Sequence, residues 1–192
     1  MRRGRRLFLL VVLVIGAVLG TGAFLVSLEV NRATSTDAFC TSCHSMALVG
    51  NDPIFLRSAH RTNGAGVHPT CADCHIRRDN WFVETYAHVK SGLRDSIADV
   101  THNYGDATVW EARRIELAHE VRNTMRAEDS ATCRSCHAAA SISPKSQRGQ
   151  AAHALMREGR MTCIDCHFNL VHAPVPPTLE FIRGSGIGRA AK

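Results

Sequence analysis

The chain has 192 residues and a formal net charge of +6, but four of its 23 basic side chains precede a long apolar run at the N-terminus. The rest of the chain keeps 19 basic and 17 acidic side chains, which excludes a nucleic-acid-binding protein because an excess of only two positive charges is left for the folded domain. Eight cysteines would ordinarily predict disulfide bonds, but their spacing, described below, excludes that class too.

The N-terminal apolar run predicts a membrane anchor. Residues 7–28 contain no charged side chain and no histidine, and as a helix they would extend roughly 33 Å, enough to cross a bilayer. The preceding basic residues are Arg2, Arg3, Arg5 and Arg6. Basic flanks stay in the cytoplasm, so we predict a cytoplasmic tail at 1–6 and a transmembrane helix at 7–30 of a bacterial inner-membrane protein. A cleaved signal peptide is the alternative, but its apolar region is usually only about 7 to 15 residues long.

Every cysteine belongs to a Cys-x-x-Cys-His motif. The cysteine pairs are Cys40 and Cys43, Cys71 and Cys74, Cys133 and Cys136, and Cys163 and Cys166, followed by His44, His75, His137 and His167. Two thiols at this spacing can form thioethers to one haem while the adjacent imidazole binds its iron. Thioredoxin-like and zinc-ribbon sites also use Cys-x-x-Cys, but neither explains the following histidine in all four motifs. We therefore predict four covalently bound haems c, with these histidines as proximal ligands.

The motifs form two pairs. Their first cysteines are 31, 62 and 30 residues apart, and His60 and His153 each lie 16 residues after the histidine of an odd-numbered motif. This repeat predicts two di-haem halves in which His60 and His153 have equivalent roles.

The fold class that follows is mainly α with extensive loops, in which one transmembrane helix precedes a multihaem cytochrome c domain at 31–177. Apolar periodicity predicts a helix over 112–127 and a weaker one from Trp81 to about Val100, and strand patterns are nearly absent. With only about 40 residues per haem, the porphyrins must supply much of the buried apolar surface, and the domain should not fold without them. Proline, glycine and serine near the end predict a flexible tail at 178–192.

Four low-spin irons would need four further ligands. The strongest candidates are His60, His153 and His172. Met46 follows His44 closely and can supply a thioether to the first haem instead. His102 and His119 compete for the remaining position.

These residues resemble the NapC/NirT/NrfH family of membrane-anchored tetrahaem quinol dehydrogenases. The resemblance runs from the anchor to about Pro177 and is carried by the segments 39–46, 58–67 and 162–172. It implies that His60 and His172 cross over as distal ligands between the two halves. It also implies that His44-Ser45-Met46 matches the family's unusual first-haem motif.

The resemblance further implies a quinol site beside the first haem. His88 stands where several family members have lysine, with Lys90 just beyond, while Asp95 matches an acidic residue and Asp99 is a second candidate proton acceptor. Menaquinol or ubiquinol would be the electron donor, and a periplasmic reductase or soluble cytochrome the acceptor, in anaerobic or nitrogen-oxide respiration. The alternatives are electron flow from a periplasmic dehydrogenase into the quinone pool, direct reduction of a small oxyanion, and a passive bridging subunit. A homo- or hetero-oligomer is compatible with a single anchor helix.

Overall fold

The computed structural model describes residues 2–185, and every regular element in that part of the chain is helical, as the sequence predicts. The α-helices are α1 (Arg2–Thr34), α2 (Asp37–Cys40), α3 (His44–Gly50), α4 (Pro53–Leu56), α5 (Ala59–Thr62), α6 (Cys71–His75), α7 (Trp81–Thr101), α8 (Ala107–Ala127), α9 (Ala131–Arg134), α10 (Gln147–Arg157), α11 (Cys163–Cys166) and α12 (Leu179–Gly184). A 3₁₀ turn occupies Ala139–Ser141.

Helix α1 is long and apolar enough to cross a membrane. Its side chains between Leu7 and Val26 are exposed, as expected of a surface that meets lipid. The helix continues past residue 30, where the predicted span ends, because its last turns pack on α7. There Asn31, only 5% exposed, donates a hydrogen bond of 2.9 Å to the hydroxyl of Thr85.

Both long helices that follow the N-terminal span were expected from periodicity, and α7 and α8 confirm them. Each begins at a polar cap: the Asn80 side chain accepts a hydrogen bond from the amide of Val83, and Asp106 accepts from the amides of Thr108 and Val109. The helix α8 starts five residues earlier than the apolar pattern indicates because this cap, rather than the first apolar residue, sets its N-terminus.

Helix α7 contacts α1 along one face. The Trp81 indole packs edge-on against Phe24 at 5.1 Å and donates a hydrogen bond of 2.9 Å to the Ser27 hydroxyl. Farther along, a nitrogen of His88 lies 3.2 Å from the Ser35 hydroxyl. Because Phe24 and Asn31 of α1 meet Trp81 and Thr85 of α7 in the same order, and Ser35 just after α1 meets His88, the two helices run in the same general direction.

The apolar core of the protein chain is small. Within the described residues the buried apolar side chains are Phe55, Ala72, Tyr104, Met156, Met161, Ile164, Val175 and Phe181. A domain of this size cannot gain much stability from so few side chains, in keeping with a fold organised around bound prosthetic groups.

The C-terminal segment differs from the prediction of a flexible tail at 178–192. Thr178 caps α12 by accepting a hydrogen bond from the amide of Phe181, and the Phe181 ring is only 3% exposed. The guanidinium of Arg126 lies 3.7 Å from the centre of that ring and donates to the Phe181 carbonyl at 2.8 Å. A single apolar anchor therefore orders a segment whose composition predicted flexibility. Residues 186–192 lie outside the described residues.

Candidate functional site

The second motif of each half forms a short capped helix. In α6 and α11 the sequence is Thr-Cys-x-Asp-Cys-His, and the aspartate accepts a hydrogen bond from the amide of the threonine: 2.7 Å for Asp73 and Thr70, 2.8 Å for Asp165 and Thr162. This bond fixes the start of each helix and therefore the positions of its two cysteines. The shared threonine and aspartate extend the repeat beyond the haem motif itself.

In each half, a side chain three positions before the first cysteine of the first motif accepts a hydrogen bond from the backbone of the second motif. Asp37 accepts a hydrogen bond of 2.8 Å from the amide of Cys71, and it also pairs with Arg61 at 2.8 Å. In the other half the Ser130 hydroxyl accepts a hydrogen bond of 3.1 Å from the amide of Ile164. The two motifs of a half are therefore joined directly, as the predicted di-haem organisation requires.

Three pairs of histidine rings face each other at one spacing. The ring centres are 6.2 Å apart for His60 and His137, 6.1 Å for His75 and His172, and 6.1 Å for His153 and His167. Two metal–nitrogen bonds of roughly 2 Å on opposite sides of one ion separate ring centres by about 6 Å. Each pair also contains the histidine of a haem motif, so the residues present fit three irons held between two imidazoles.

Two of the three pairs join the two halves of the domain. His60 follows the first motif but faces the histidine of the third, and His172 follows the fourth motif but faces that of the second. His153, in contrast, faces His167 of its own half. The equivalent roles that the repeat predicts for His60 and His153 are therefore not seen, since one reaches across the domain and the other does not.

Two arginines of α8 hold the loop that carries His172. Arg122, 5% exposed, donates a hydrogen bond of 2.6 Å to the Asn169 side-chain oxygen and one of 2.7 Å to the Val175 carbonyl. About two turns earlier on α8, Arg114 donates to the Ala173 carbonyl at 2.9 Å. Burial lowers the pKa of His172 to about 4, which keeps its ring neutral and able to bind a metal.

A buried ion pair fixes the fourth motif and gives a stability prediction. The Asp165 side chain is 3% exposed and accepts a hydrogen bond of 2.6 Å from Arg126, whereas the equivalent Asp73 is 32% exposed and bonds to Arg78. Replacing Arg126 with methionine leaves a buried carboxylate without its cation and should cost about 3–5 kcal/mol of unfolding free energy.

The matched variant Arg78→Met breaks an exposed pair and should cost about 1 kcal/mol or less. Denaturant unfolding of the two holoproteins, followed by circular dichroism, measures both values. Equal losses of unfolding free energy in the two variants would contradict the assignment of Asp165 as the residue that fixes the fourth motif.

The first motif differs from the other three. The His44 side chain is 94% exposed, and its closest charged neighbour is Asp99, 4.0 Å away. Asp99 accepts hydrogen bonds from the amides of Ser45 at 2.9 Å and His44 at 3.4 Å, so it caps α3, and these bonds lower its pKa. Met46 is half-buried on the same helix. Among the described residues no second imidazole faces His44.

The cysteine thiols of each haem motif lie close to those of the next motif. In the apoprotein a hydrogen bond from Cys71 lowers the pKa of Cys40 to about 7, against the opposing effects of burial and of the Asp37 and Asp95 carboxylates. Burial raises the pKa of Cys74, and so does the neighbouring thiol of Cys133. Burial and the thiol of Cys163 raise the pKa of Cys133. Contacts of α2 with α6 and of α6 with α9, and the hydrogen bond from the Ile164 amide to Ser130, likewise place the first motif beside the second, the second beside the third, and the third beside the fourth.

The four quinol-site candidates lie in different surroundings. Asp95 is half-buried, and its pKa is raised by burial despite the nearby guanidinium groups of Arg94 and Arg113. His88 is half-buried between the Ser35 hydroxyl and the Glu84 carbonyl, 3.0 Å away. Lys90 is exposed, with its ammonium 5.9 Å from the ring centre of Tyr86. Asp99 is engaged in capping, which leaves Asp95 as the carboxylate best suited to accept a proton.

The two remaining candidates for axial ligands face no other histidine. His102 stacks on the buried Tyr104 with ring centres 5.5 Å apart and lies 3.1 Å from the Ala98 carbonyl. His119 is half-buried on α8, and its Nδ1 is buried without a hydrogen-bond partner. His102 is therefore engaged with Tyr104 in the α7–α8 connection, whereas the buried Nδ1 of His119 has no hydrogen-bond partner among the described residues.

Sequence reasoning missed the residues that hold the ligands in place. Arg114 and Arg122 lie eight residues apart on one face of α8. From sequence alone, charged residues at this spacing are predicted to face solvent. The threonine and aspartate of the Thr-Cys-x-Asp-Cys-His repeat were visible in the sequence and could have been found by comparing the two halves.

Comparison with known proteins places the chain in one family. The model of the N-terminal region of the NapC/NirT cytochrome c family matches residues 2–177. A tetraheme cytochrome c-type protein of Nitrosomonas europaea is 37% identical over 86% of this chain and 70% of its own length. The denitrification system component NirT of Stutzerimonas stutzeri is 36% identical over 84% of this chain and 80% of its own.

A third relative is longer than this chain. The cytochrome c-type protein TorY of Escherichia coli O157:H7 is 35% identical over 90% of this chain but only 47% of its own length, so the chain spans about half of it. No solved structure matches the chain significantly. The repeated haem motifs, the N-terminal span and the family match agree: this chain belongs to the NapC/NirT cytochrome c family of membrane-anchored tetrahaem electron-transfer proteins.

Proposed function

We propose that this protein oxidises a membrane quinol beside its first haem motif and passes the electrons through the remaining motifs to a periplasmic reductase or cytochrome. The observation that carries the proposal is the position of Asp95. It lies one turn before Asp99, whose carboxylate bonds the helix of the first motif, on a helix whose beginning packs directly against the membrane anchor α1. A quinol whose headgroup leaves the bilayer and rises along α7 would meet this half-buried carboxylate beside the first motif.

The orientation follows from charge. The arginines before α1 keep the N-terminus in the cytoplasm, and the haem domain then lies in the periplasm. All four motifs follow α1 in the chain, so covalent haem attachment and electron delivery would both take place on the periplasmic side of the cytoplasmic membrane.

The chemistry needs a proton acceptor and a single-electron acceptor at the same place. Oxidation of a quinol to a quinone releases two protons and two electrons. Haem, when bound, takes up and gives away one electron at a time. Asp95 can take one proton, because burial raises its pKa from that of an ordinary aspartate, and a carboxylate of raised pKa is a stronger base. His88, joined to Ser35 of α1, offers a second acceptor nearer the membrane.

The opposite end of the domain is suited to deliver electrons to an acidic partner. His167 belongs to the fourth motif and His153 faces it, and the segment 139–161 around His153 carries four exposed basic side chains against one acidic one. The basic side chains are Lys145, Arg148, Arg157 and Arg160. Positive charge around the last motif would attract a partner with a negative surface and speed their encounter.

Anaerobic mixing of the oxidised holoprotein with quinols tests this proposal. Menaquinol and ubiquinol analogues are added separately to detergent-purified protein, and reduction is followed through the haem absorbance bands. We expect rapid reduction by at least one of the two quinols. If neither quinol reduces the protein while dithionite does, the proposal is overturned. Reoxidation of the reduced protein by the matching quinone, measured in parallel, shows whether electron flow into the quinone pool is the faster direction.

A further inference from the structure

One face of α7 is apolar and exposed along its whole length. Phe82 is 74% exposed, and the values for the other members lie between 55% and 86%. The members of this stripe are Phe82, Tyr86, Val89, Leu93, Ile97 and Val100. A continuous apolar surface of this length is uncommon on a domain that meets only water, so another surface is expected to cover it.

The two other faces of α7 already have partners, and the stripe is separate from both. One face packs on α1 and the first haem motif through Trp81, Thr85 and Asp99. Another meets α8, where Arg94 forms two hydrogen bonds of 2.6 Å with Glu120. At 100° per residue the stripe lies about a quarter of a turn from the α1 face, so neither α1 nor α8 covers it.

Lipid can cover only the lower part of the stripe. Because α7 runs in the same general direction as the end of α1, Phe82 lies near the membrane and Val100 lies farthest from it. The stripe is about 27 Å long, whereas the headgroup layer of a bilayer is roughly 5–7 Å thick. Its upper residues, Leu93 to Val100, therefore need a protein surface.

The spacing of the stripe is typical of a coiled coil. Successive members are four, three, four, four and three residues apart, which follows the alternation of a heptad repeat with a one-residue shift at Ile97. Two copies anchored in one membrane present this helix at the same height and in the same direction, as a parallel pair requires. No acidic side chain belongs to the stripe, so two copies would not repel each other there.

We propose that a second copy of this chain packs on the α7 stripe, so that two copies pair in the membrane as a parallel two-stranded coiled coil. At roughly 100 Å² for each exposed side chain, the six residues would bury on the order of 1,200 Å² between two copies, the lower limit of a specific interface. The pairing would place two copies of the first haem motif on either side of the joined helices. It does not depend on quinol being the donor.

Cysteine cross-linking of the holoprotein tests the pairing. Val100→Cys places a thiol in the stripe, and Thr101→Cys, the matched control, places one at the next exposed position outside it. Each variant is reconstituted in vesicles of phosphatidylethanolamine and phosphatidylglycerol, and diamide then oxidises facing pairs of thiols to disulfides. We expect at least fivefold more haem-stained dimer on a non-reducing gel for Val100→Cys, because facing positions of a parallel pair approach within the reach of a disulfide.

A second variant separates pairing from chance collision. Leu93→Glu places like charges at the centre of the proposed interface and should abolish the Val100→Cys dimer while the haem spectrum stays unchanged. Equal cross-linking of Val100→Cys and Thr101→Cys overturns the proposal, and so does the absence of dimer in both. Persistence of the dimer in the Leu93→Glu background also overturns it.

Discussion

Replacing His172 with alanine is expected to convert one low-spin haem of the holoprotein to the high-spin state. The reason is the pairing of its ring with that of His75, 6.1 Å away, across the two halves of the domain. Without the second imidazole the iron of the second motif would keep only one axial nitrogen ligand from the protein. Electron paramagnetic resonance of the oxidised protein measures the change as an added high-spin signal of about one haem, with the loss of one low-spin haem.

His102→Ala is the matched control. Its ring stacks on Tyr104 and faces no other histidine, so the number of low-spin haems should not change. An unchanged spectrum in the His172→Ala variant would contradict the crossing of ligands between the halves. A high-spin signal in both variants would indicate general damage to the fold and would equally remove support for the pair.

Replacing Asp95 with asparagine should slow quinol oxidation by about 100-fold or more, the typical contribution of a positioned general base. Asparagine keeps the size of the side chain but cannot accept a proton. Glu180→Gln, which changes an exposed carboxylate on α12, is the control and should react at the rate of the unmodified protein. The measurement is the rate of haem reduction after anaerobic mixing with quinol in a stopped-flow instrument.

The rate of the same reaction should change with pH in a defined direction. Asp95 must be ionised to accept a proton, so the rate should fall as the pH drops through its pKa. Because burial raises that pKa, the fall should begin at a higher pH than for an ordinary aspartate and should be absent in the Asp95→Asn variant. If the Asp95→Asn variant keeps both the rate of the unmodified protein and its decrease at low pH, another group, such as His88, accepts the proton.

Much of the fold could be predicted because its strongest features are local. The apolar run of α1, the periodicity of α7 and α8 and the four haem motifs are all visible within short windows of sequence. The end of the chain could not be predicted in the same way. Helix α12 depends on contacts of Phe181 with Arg126 and Phe168, which join residues 55 and 13 positions apart.

The sequence indicates which residue types form the candidate site, but not which of these residues contact one another. The repeat predicts equal roles for His60 and His153, whereas the fold brings His60 to the third motif and leaves His153 beside the fourth. The family resemblance ranks Asp95 before Asp99, but the residues themselves give no physical reason for that order. Backbone amides of α3 occupy Asp99, whereas Asp95 is half-buried beside guanidinium groups, and this difference arises from packing alone.

The central claim is that three facing pairs of histidines hold three of the four haems, while the first motif is different. Near-infrared magnetic circular dichroism of the oxidised holoprotein tests this claim most directly, because its bands separate bis-histidine haems from those with a thioether or an open position. The ring spacings of 6.1–6.2 Å predict three bis-histidine haems and one haem of another type. Four bis-histidine haems, or fewer than three, would contradict the account.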